Sequence, residues 1–312
     1  MHVTVVGSLN EDVVATVERL PQRGETVIAS AVSTVPGGKG ANQAAAAATL
    51  GARVHMVGRV GDDDSGRRML DALTLTGVDV GHVLPSAAVP TGTATIPVER
   101  GSGENLILVV PGANSTLLAE DVDLACVRDA DVVLLQLEVP MGTVLAAALR
   151  AGGRVVLNPA PAQALPDLLL QSVDVIVPNE HELVQVSGAP AGGGSLSKLV
   201  VHAQALRARC REGATVVVTL GARGALVVSA NSPALVQGPP PVEAVDATGA
   251  GDCFCGALSA SLAGGAEILD AVRWAVAAAS VSTTGSGARS ALPGAEDVTA
   301  ALAQLPPATA VP

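Results

Sequence analysis

The chain has 312 residues, 49% hydrophobic and 15% charged, with a formal net charge of -11. One Phe, one Trp and no Tyr leave no aromatic platform for nucleic-acid bases, and the negative charge disfavours nucleic-acid and anionic-membrane partners alike. The length suffices for a large core, which must be built from Ala, Val and Leu.

The opening "MHVTVVG" reads as a first strand and lacks the basic region of a signal peptide. No uninterrupted apolar run reaches the roughly 18 residues of a membrane span. The cysteines, Cys126, Cys210, Cys253 and Cys255, show no metal-ligand spacing, so a soluble protein of the reducing cytoplasm is expected.

Along the chain, strand-type runs at 3–6, 54–57, 132–135, 155–157, 175–177, 216–219 and 225–228 alternate with helical stretches. The helical stretches are 41–50, 66–75, 141–150, 195–211 and 250–262. This alternation predicts an α/β fold with a mostly parallel sheet covered by helices on both faces. Segments of about 11–36 and 91–110 break the rhythm as strands joined by turns, and are expected to form a small lid sheet. Residues 1–305 then make one domain, and the Pro-rich 306–312 a loose tail.

Four stretches carry chemistry. In "VVGSLNED", Asn10 and Asp12 follow the first strand, where open α/β sheets bind ligands; a polar turn is the simpler role. "VPGGKGANQ", residues 35–43, is no Walker loop, because Gly40 follows Lys39. Its glycines, including Gly38, let backbone approach a small ligand, and Asn42 offers donor and acceptor to hydroxyls; a tight turn before a helix is the alternative. In "VPNEHEL", Asn179 and Glu182 share one face at a helix start and suit either a metal with its waters or a capping box.

The fourth stretch is "VDATGAGDCFCGAL", residues 245–258. Gly249, Ala250 and Gly251 can turn their amides into an anion nest at a helix start. Asp252, beside that nest, is either a helix cap or a base that takes a proton from a hydroxyl attacking a bound phosphate.

In order and spacing these stretches, with "GDDDSG", "GENLILVVPGAN", "QLEVP", "LNPAPA" and "TLGARGA", resemble the phosphofructokinase-B-type sugar kinase family over essentially the whole chain. Residues 36–51 and 246–259 match its two signature regions, apart from Ala247, where Thr, Ser or Pro is commoner. The resemblance implies a ribokinase-like three-layer sandwich with a β-sheet lid and ATP-dependent phosphorylation of a sugar. It assigns Asp252 as catalytic base and the amides of Gly249, Ala250 and Gly251 as anion hole. Asn10, Asp12, Gly38, Lys39, Asn42 and Glu138 become the sugar set. Asn179 and Glu182 organise Mg²⁺ and phosphates. Thr219, Gly221, Gly224 and Gly251, with a helix around 275–279, hold the nucleotide. Asp246 and Thr248, with backbone from Ser282, Gly285 and Gly287, hold a monovalent cation such as K⁺; Ala291 lacks a hydroxyl that relatives place there.

The composition narrows the substrate. A nucleoside would want an aromatic shelf, and a sugar phosphate would want more lid cations than Arg19, Arg23 and Arg100. Neutral D-ribose, phosphorylated at O5, is the leading expectation, with fructose or another pentose next. A sugar sensor without catalysis would not need Asp252, and a nicotinamide-dependent dehydrogenase would need a glycine fingerprint that is missing. A homodimer through the lid is expected, since lid strands otherwise expose edges and an apolar face.

Overall fold

The computed structural model describes residues 1–188 and 195–311. Its first strand, β1 (His2–Val6), leads into β2 (Asn10–Val17) and β3 (Ala29–Gly37), followed by helix α1 (Lys39–Thr49). Next come β4 (Arg53–Gly61), α2 (Asp64–Leu75), β5 (Asp79–Ser86), β6 (Gly92–Glu99) and β7 (Leu108–Val110). The middle of the chain runs α3 (Ala125–Arg128), β8 (Val132–Leu135), α4 (Met141–Arg150), β9 (Arg154–Leu157), α5 (Asp167–Leu170) and β10 (Val175–Ile176). Then follow α6 (Glu180–Ser187), α7 (Leu196–Arg209), β11 (Thr215–Thr219), β12 (Ala225–Val228) and β13 (Leu235–Gln237). The chain ends with α8 (Ala250–Ala263), α9 (Ile268–Ser282), α10 (Ala295–Leu302) and β14 (Thr309–Ala310).

Ten strands form one sheet in the order β14-β13-β12-β11-β10-β9-β8-β1-β4-β5. From β11 to β5 all neighbours pair parallel, while β12, β13 and β14 add on antiparallel. Strand residues alternate between two cores, as the period of two requires. Val132 and Leu134 pack with α1, α8 and α9, whereas Val133 and Leu135 pack with α4, α6 and α7. The expected α/β sandwich is therefore present, with helices on both faces.

With so few aromatics, the first core is filled by small side chains on helices that lie close together. A Cβ on Gly256 of α8 would stand 2.5 Å from the Gln43 carbonyl and 2.7 Å from the Ala46 Cβ of α1. Trp274, on α9, packs at the margin of this core.

The segments expected as a lid pair as a separate four-stranded sheet, β3-β2-β6-β7. Val32 is 65% exposed, Leu108 64% and Val110 63%, so one side of this sheet carries apolar side chains into solvent. The tail differs from expectation. Thr309–Ala310 pairs with β13, the Val311 amide donates to Ala234, and Gln237 donates to the Pro306 carbonyl. Its backbone completes an otherwise open sheet edge; Pro312 lies outside the described residues.

Candidate active site

The functional stretches converge at the carboxyl ends of the parallel strands, where β-to-α crossings leave room for ligands. Ser8 follows β1, Gln136 and Glu138 follow β8, Asn158 follows β9, and Asn179 follows β10. Above them stand the N-terminal ends of α1 and α8. Gly38 enters α1 at φ 87°, and a Cβ there would lie 2.7 Å from the Asn10 nitrogen. Only glycine allows β1's exit and the start of α1 to approach so closely.

Asp252 sits in the first turn of α8. Asn42 donates Nδ2 to its Oδ2 at 3.0 Å, and Gln43 donates Nε2 to its Oδ1 at 2.9 Å. Asn42 is itself fixed by Arg289, whose Nε donates to Asn42 Oδ1 at 2.8 Å and whose Nη2 donates to the Gly37 carbonyl at 2.9 Å. Gln43 also reaches Asn158 Oδ1 at 3.1 Å and accepts from Gln136 Nε2 at 2.6 Å. The carboxylate is oriented by two neutral amide donors, one on each oxygen.

Asp12 lies against Gly37, where any Cβ would collide with the carboxylate. Burial, reinforced by Glu138 and Asp252, pushes the Asp12 carboxyl up to about 6, although Arg289 and Lys39 pull the other way. Its Oδ1 is buried without a hydrogen-bond partner among the described residues, so it can accept from a ligand hydroxyl. Asn10 Oδ1 accepts from Asn114 Nδ2 at 2.8 Å, and Asn114 also clasps the Leu9 backbone, its Oδ1 accepting from the Leu9 amide and its Nδ2 donating to the Leu9 carbonyl. Glu138 accepts from Ser8 Oγ and from the Lys39 amide, which places it behind the α1 entrance. Burial pushes Arg289 down to about 10, with Asp12 and Asp252 opposing. The Lys39 ammonium is buried too, but Asp252, Glu138 and Glu182 hold it above its ordinary value.

A cavity of about 170 Å³ opens beside Asp252, lined among others by Lys39, Asn158, Asn179, Glu182, Gly249 and Gly251. It adjoins a cleft of about 1040 Å³ bounded by Thr219, Gly221, Gly224, Phe254, Val276 and Ala279. Thr219, Gly221, Gly224 and Gly251, assigned to the nucleotide from sequence, therefore share one mainly apolar cleft next to Asp252. Asn179 and Glu182 do form the capping box, with Asn179 Oδ1 accepting from the Glu182 amide and Glu182 Oε2 from the Asn179 amide. Burial raises the Glu182 carboxyl despite the Asn179 amide and Lys39; Oε1 has no hydrogen bond within the described residues.

The nest differs from expectation at one amide. Gly249 is left-handed at φ 75°, and the resulting tight turn directs the Ala250 N–H to the Ala247 carbonyl at 3.2 Å. Among the described residues the amides of Gly249 and Gly251 have no such partner, so these two remain for an anion and Ala250 does not in this conformation. Asp246 accepts from the Thr248 and Gly287 amides, both at 2.8 Å. These bonds outweigh burial and hold its carboxyl below the usual range. They also tie the loop containing Gly285 and Gly287 to the start of α8, with Ser282 buried at the end of α9. Among the cysteines burial pushes Cys253 up to about 12 and holds Cys255 well above the ordinary thiol range.

Sequence reading passed over Arg289, Gln136, Asn158 and Asn114. Asn114, Gln136 and Asn158 lie within stretches that match the family and Arg289 in a glycine-rich loop, yet none has a spacing that marks it as functional. Only their convergence in space does so.

Comparison with known proteins agrees with this geometry. The pfkB family carbohydrate kinase model matches residues 1–295. The chain is 39% identical over 298 residues to the ribokinase of Haemophilus influenzae, covering 93% of this chain and 94% of that one. It is 37% identical to the Bacillus subtilis ribokinase, covering 95% of this chain and 98% of the relative. The solved Arabidopsis thaliana ribokinase complexed with ribose and ATP is 33% identical, with a TM-score of 0.87 over 96% of this chain and 98% of the other. The chain belongs to the pfkB family of carbohydrate kinases.

Proposed function

We propose that this chain phosphorylates D-ribose at O5 with ATP, giving D-ribose 5-phosphate and ADP. The observation that carries the reading is Asp252, held by Asn42 and Gln43 at the junction of a polar rim and the long cleft. The rim of Asn10, Asp12, Gly38, Asn42, Lys39 and Glu138 suits a neutral polyhydroxyl sugar, and the unpartnered Asp12 Oδ1 awaits a hydroxyl donor. The ribose and ATP of the Arabidopsis relative support the same pairing.

In the reaction Asp252 takes the proton of the sugar hydroxyl as its oxygen bonds to the γ-phosphorus. The bond from phosphorus to the bridging oxygen breaks, and ADP leaves with that electron pair. The amides of Gly249 and Gly251 stabilise the charge on the transferred group, and the turn carrying Ala250 can add its N–H only by releasing Ala247. Lys39 contributes a fixed positive charge on the cavity wall. Thr219, Gly221 and Gly224 bound the nucleotide cleft, beside the α9 residues Val276 and Ala279.

Glu182, with one oxygen outside the capping box, and Asn179 offer hard oxygen donors that fit Mg²⁺ held through water. Bound there, Mg²⁺ would neutralise phosphate charge. Asp246 and the backbone at Thr248, Ser282, Gly285 and Gly287 form an oxygen-rich loop suited to K⁺. Such an ion would stiffen the turn at Gly249. The exposed apolar side of the small sheet supports a homodimer, and the absence of any described helix able to cross a membrane fits a cytoplasmic enzyme.

The test is ADP release with D-ribose, 2-deoxyribose, fructose, other pentoses and nucleosides at equal concentration. Ribose is expected to give the highest kcat/KM. A clear preference for fructose or a nucleoside would reject the substrate while leaving the kinase chemistry intact.

A further inference from the structure

Near the N-terminal ends of β1 and β4 and beside the edge strand β5, away from the kinase site, three of the chain's five histidines come together. His2 begins β1, His55 pairs with Thr4 from β4, and His82 pairs with Val57 from β5. The strand period puts all three rings on one face of the sheet, the face of Val6, Val57 and Leu135. Ring centroids of His2 and His55 are 4.7 Å apart, and those of His55 and His82 are 6.2 Å apart. Cys126 of α3 closes over them, its carbonyl anchored by the Thr4 hydroxyl.

A ring nitrogen of His55, one of His82 and the Cys126 sulfur all lie within 4.8 Å of one another. His55 is 8% exposed and Cys126 8%. His55 Nδ1 and His2 Nε2 are buried with no hydrogen bond among the described residues. Burying unbonded imidazole nitrogens is costly, and nothing in sugar phosphorylation uses them. His55 Nδ1 also lies 3.2 Å from Asp79 Oδ2, without hydrogen-bond alignment. A carboxylate there can orient a ligating imidazole from behind.

We propose that His55, His82 and Cys126 form a Zn²⁺ site, with Asp79 supporting His55 and the fourth position taken by water or by the neighbouring His2. Two imidazoles and a thiolate are the donor set of a borderline-soft cation, and they exclude Mg²⁺ or Ca²⁺, which require oxygen. Tetrahedral ligand atoms around Zn²⁺ stand roughly 3.3–3.7 Å apart, so small side-chain rotations close the cluster. His82, only partly buried, leaves the entry path. The ion would tie β4, β5 and α3 together across the sheet face opposite α1, as a structural clamp.

The experiment uses the full chain stripped of metal, with excess Mg²⁺ to occupy the kinase site. Co²⁺ serves as the optical probe and Zn²⁺ as its competitor. One equivalent of Co²⁺ should produce a thiolate-to-metal charge-transfer band and tetrahedral d–d absorption, both displaced by Zn²⁺. Cys126→Ser should abolish the charge-transfer band, and His82→Gln should weaken Zn²⁺ affinity at least about tenfold. Cys255→Ser, altering a thiol beside the kinase cavity, should change neither. His82→Gln keeps the test decisive if Cys126→Ser fails to fold. The proposal is overturned if the wild type shows no charge-transfer band, if the band depends on Cys255, or if His82→Gln binds Zn²⁺ as tightly as wild type.

Discussion

Gln43 donates to Asp252 Oδ1 across 2.9 Å while its own Oε1 accepts from Gln136 at 2.6 Å. A side-chain amide engaged at both ends cannot flip, and Asn42 is held likewise between Asp252 and Arg289. The carboxylate proposed to accept the sugar proton is therefore aimed before substrate arrives. Asp252→Asn puts an NH₂ opposite one of these donors. It should cost about 1–3 kcal/mol of stability and about 10²–10⁴-fold in kcat, with sugar KM little changed. Steady-state kinetics with a denaturant melt checks both; a variant keeping half of kcat would reduce Asp252 to a helix cap.

The closeness of α1 and α8 is a packing consequence of Gly256. Gly256→Val forces the helices apart one turn beyond Asp252, at a cost of about 1–3 kcal/mol. Because Asn42 and Gln43 ride on α1, kcat should fall together with Tm. Normal kcat in a destabilised variant would show that the helix contact and the carboxylate geometry are independent.

Asp12 gives the free enzyme a pH signature. Its carboxyl is raised, chiefly by burial, from 3.8 to about 6, so the folded chain holds this proton more tightly than the unfolded one. The associated stability is fully present below about pH 3.8, declines as pH rises towards 6, and is lost beyond that. Its size is on the order of 3 kcal/mol at most. Asp12→Asn should thus raise Tm at pH 8 more than at pH 4, while weakening ribose binding above pH 6. An equal Tm difference at both pH values would contradict the assignment.

The loop clasped by Asp246 predicts dependence on the monovalent ion. Replacing Na⁺ by K⁺ at constant ionic strength should raise kcat at least about tenfold by fixing the donors of the Gly249 turn. Asp246→Ala should remove the difference. Equal rates in the two salts, with an active Asp246→Ala, would leave Asp246 as the turn cap that its two amide bonds already describe.

The apolar outer side of the small sheet predicts a dimer. Sedimentation at micromolar concentration should give twice the monomer mass for wild type and the monomer mass for Leu108→Glu, since a buried charge at the interface is costly. A wild-type monomer would contradict the arrangement.

Sequence reading recovered what depends on local pattern. The runs of Val and Leu in β8, β11 and β12 identify buried strands, and "GAGD" identifies a helix start beside an acid. It missed what depends on pairing at a distance. Arg289 stands alone in a glycine-rich loop, and only the approach of that loop to α1 brings it to Asn42. The tail looked loose because Pro306 and Pro307 suggest no structure, yet the backbone after them satisfies the edge of β13. The amide of Ala250 looked available until the left-handed Gly249 turned it towards Ala247.

The scarcity of aromatic side chains also sets what light can report. Trp274 is the chain's single indole, with no tyrosine to obscure it. It stands on α9, the helix that contributes Val276 and Ala279 to the long cleft proposed for the nucleotide. Intrinsic fluorescence in this protein is therefore a one-site signal, belonging to a single helix beside the cleft rather than to an average over the molecule.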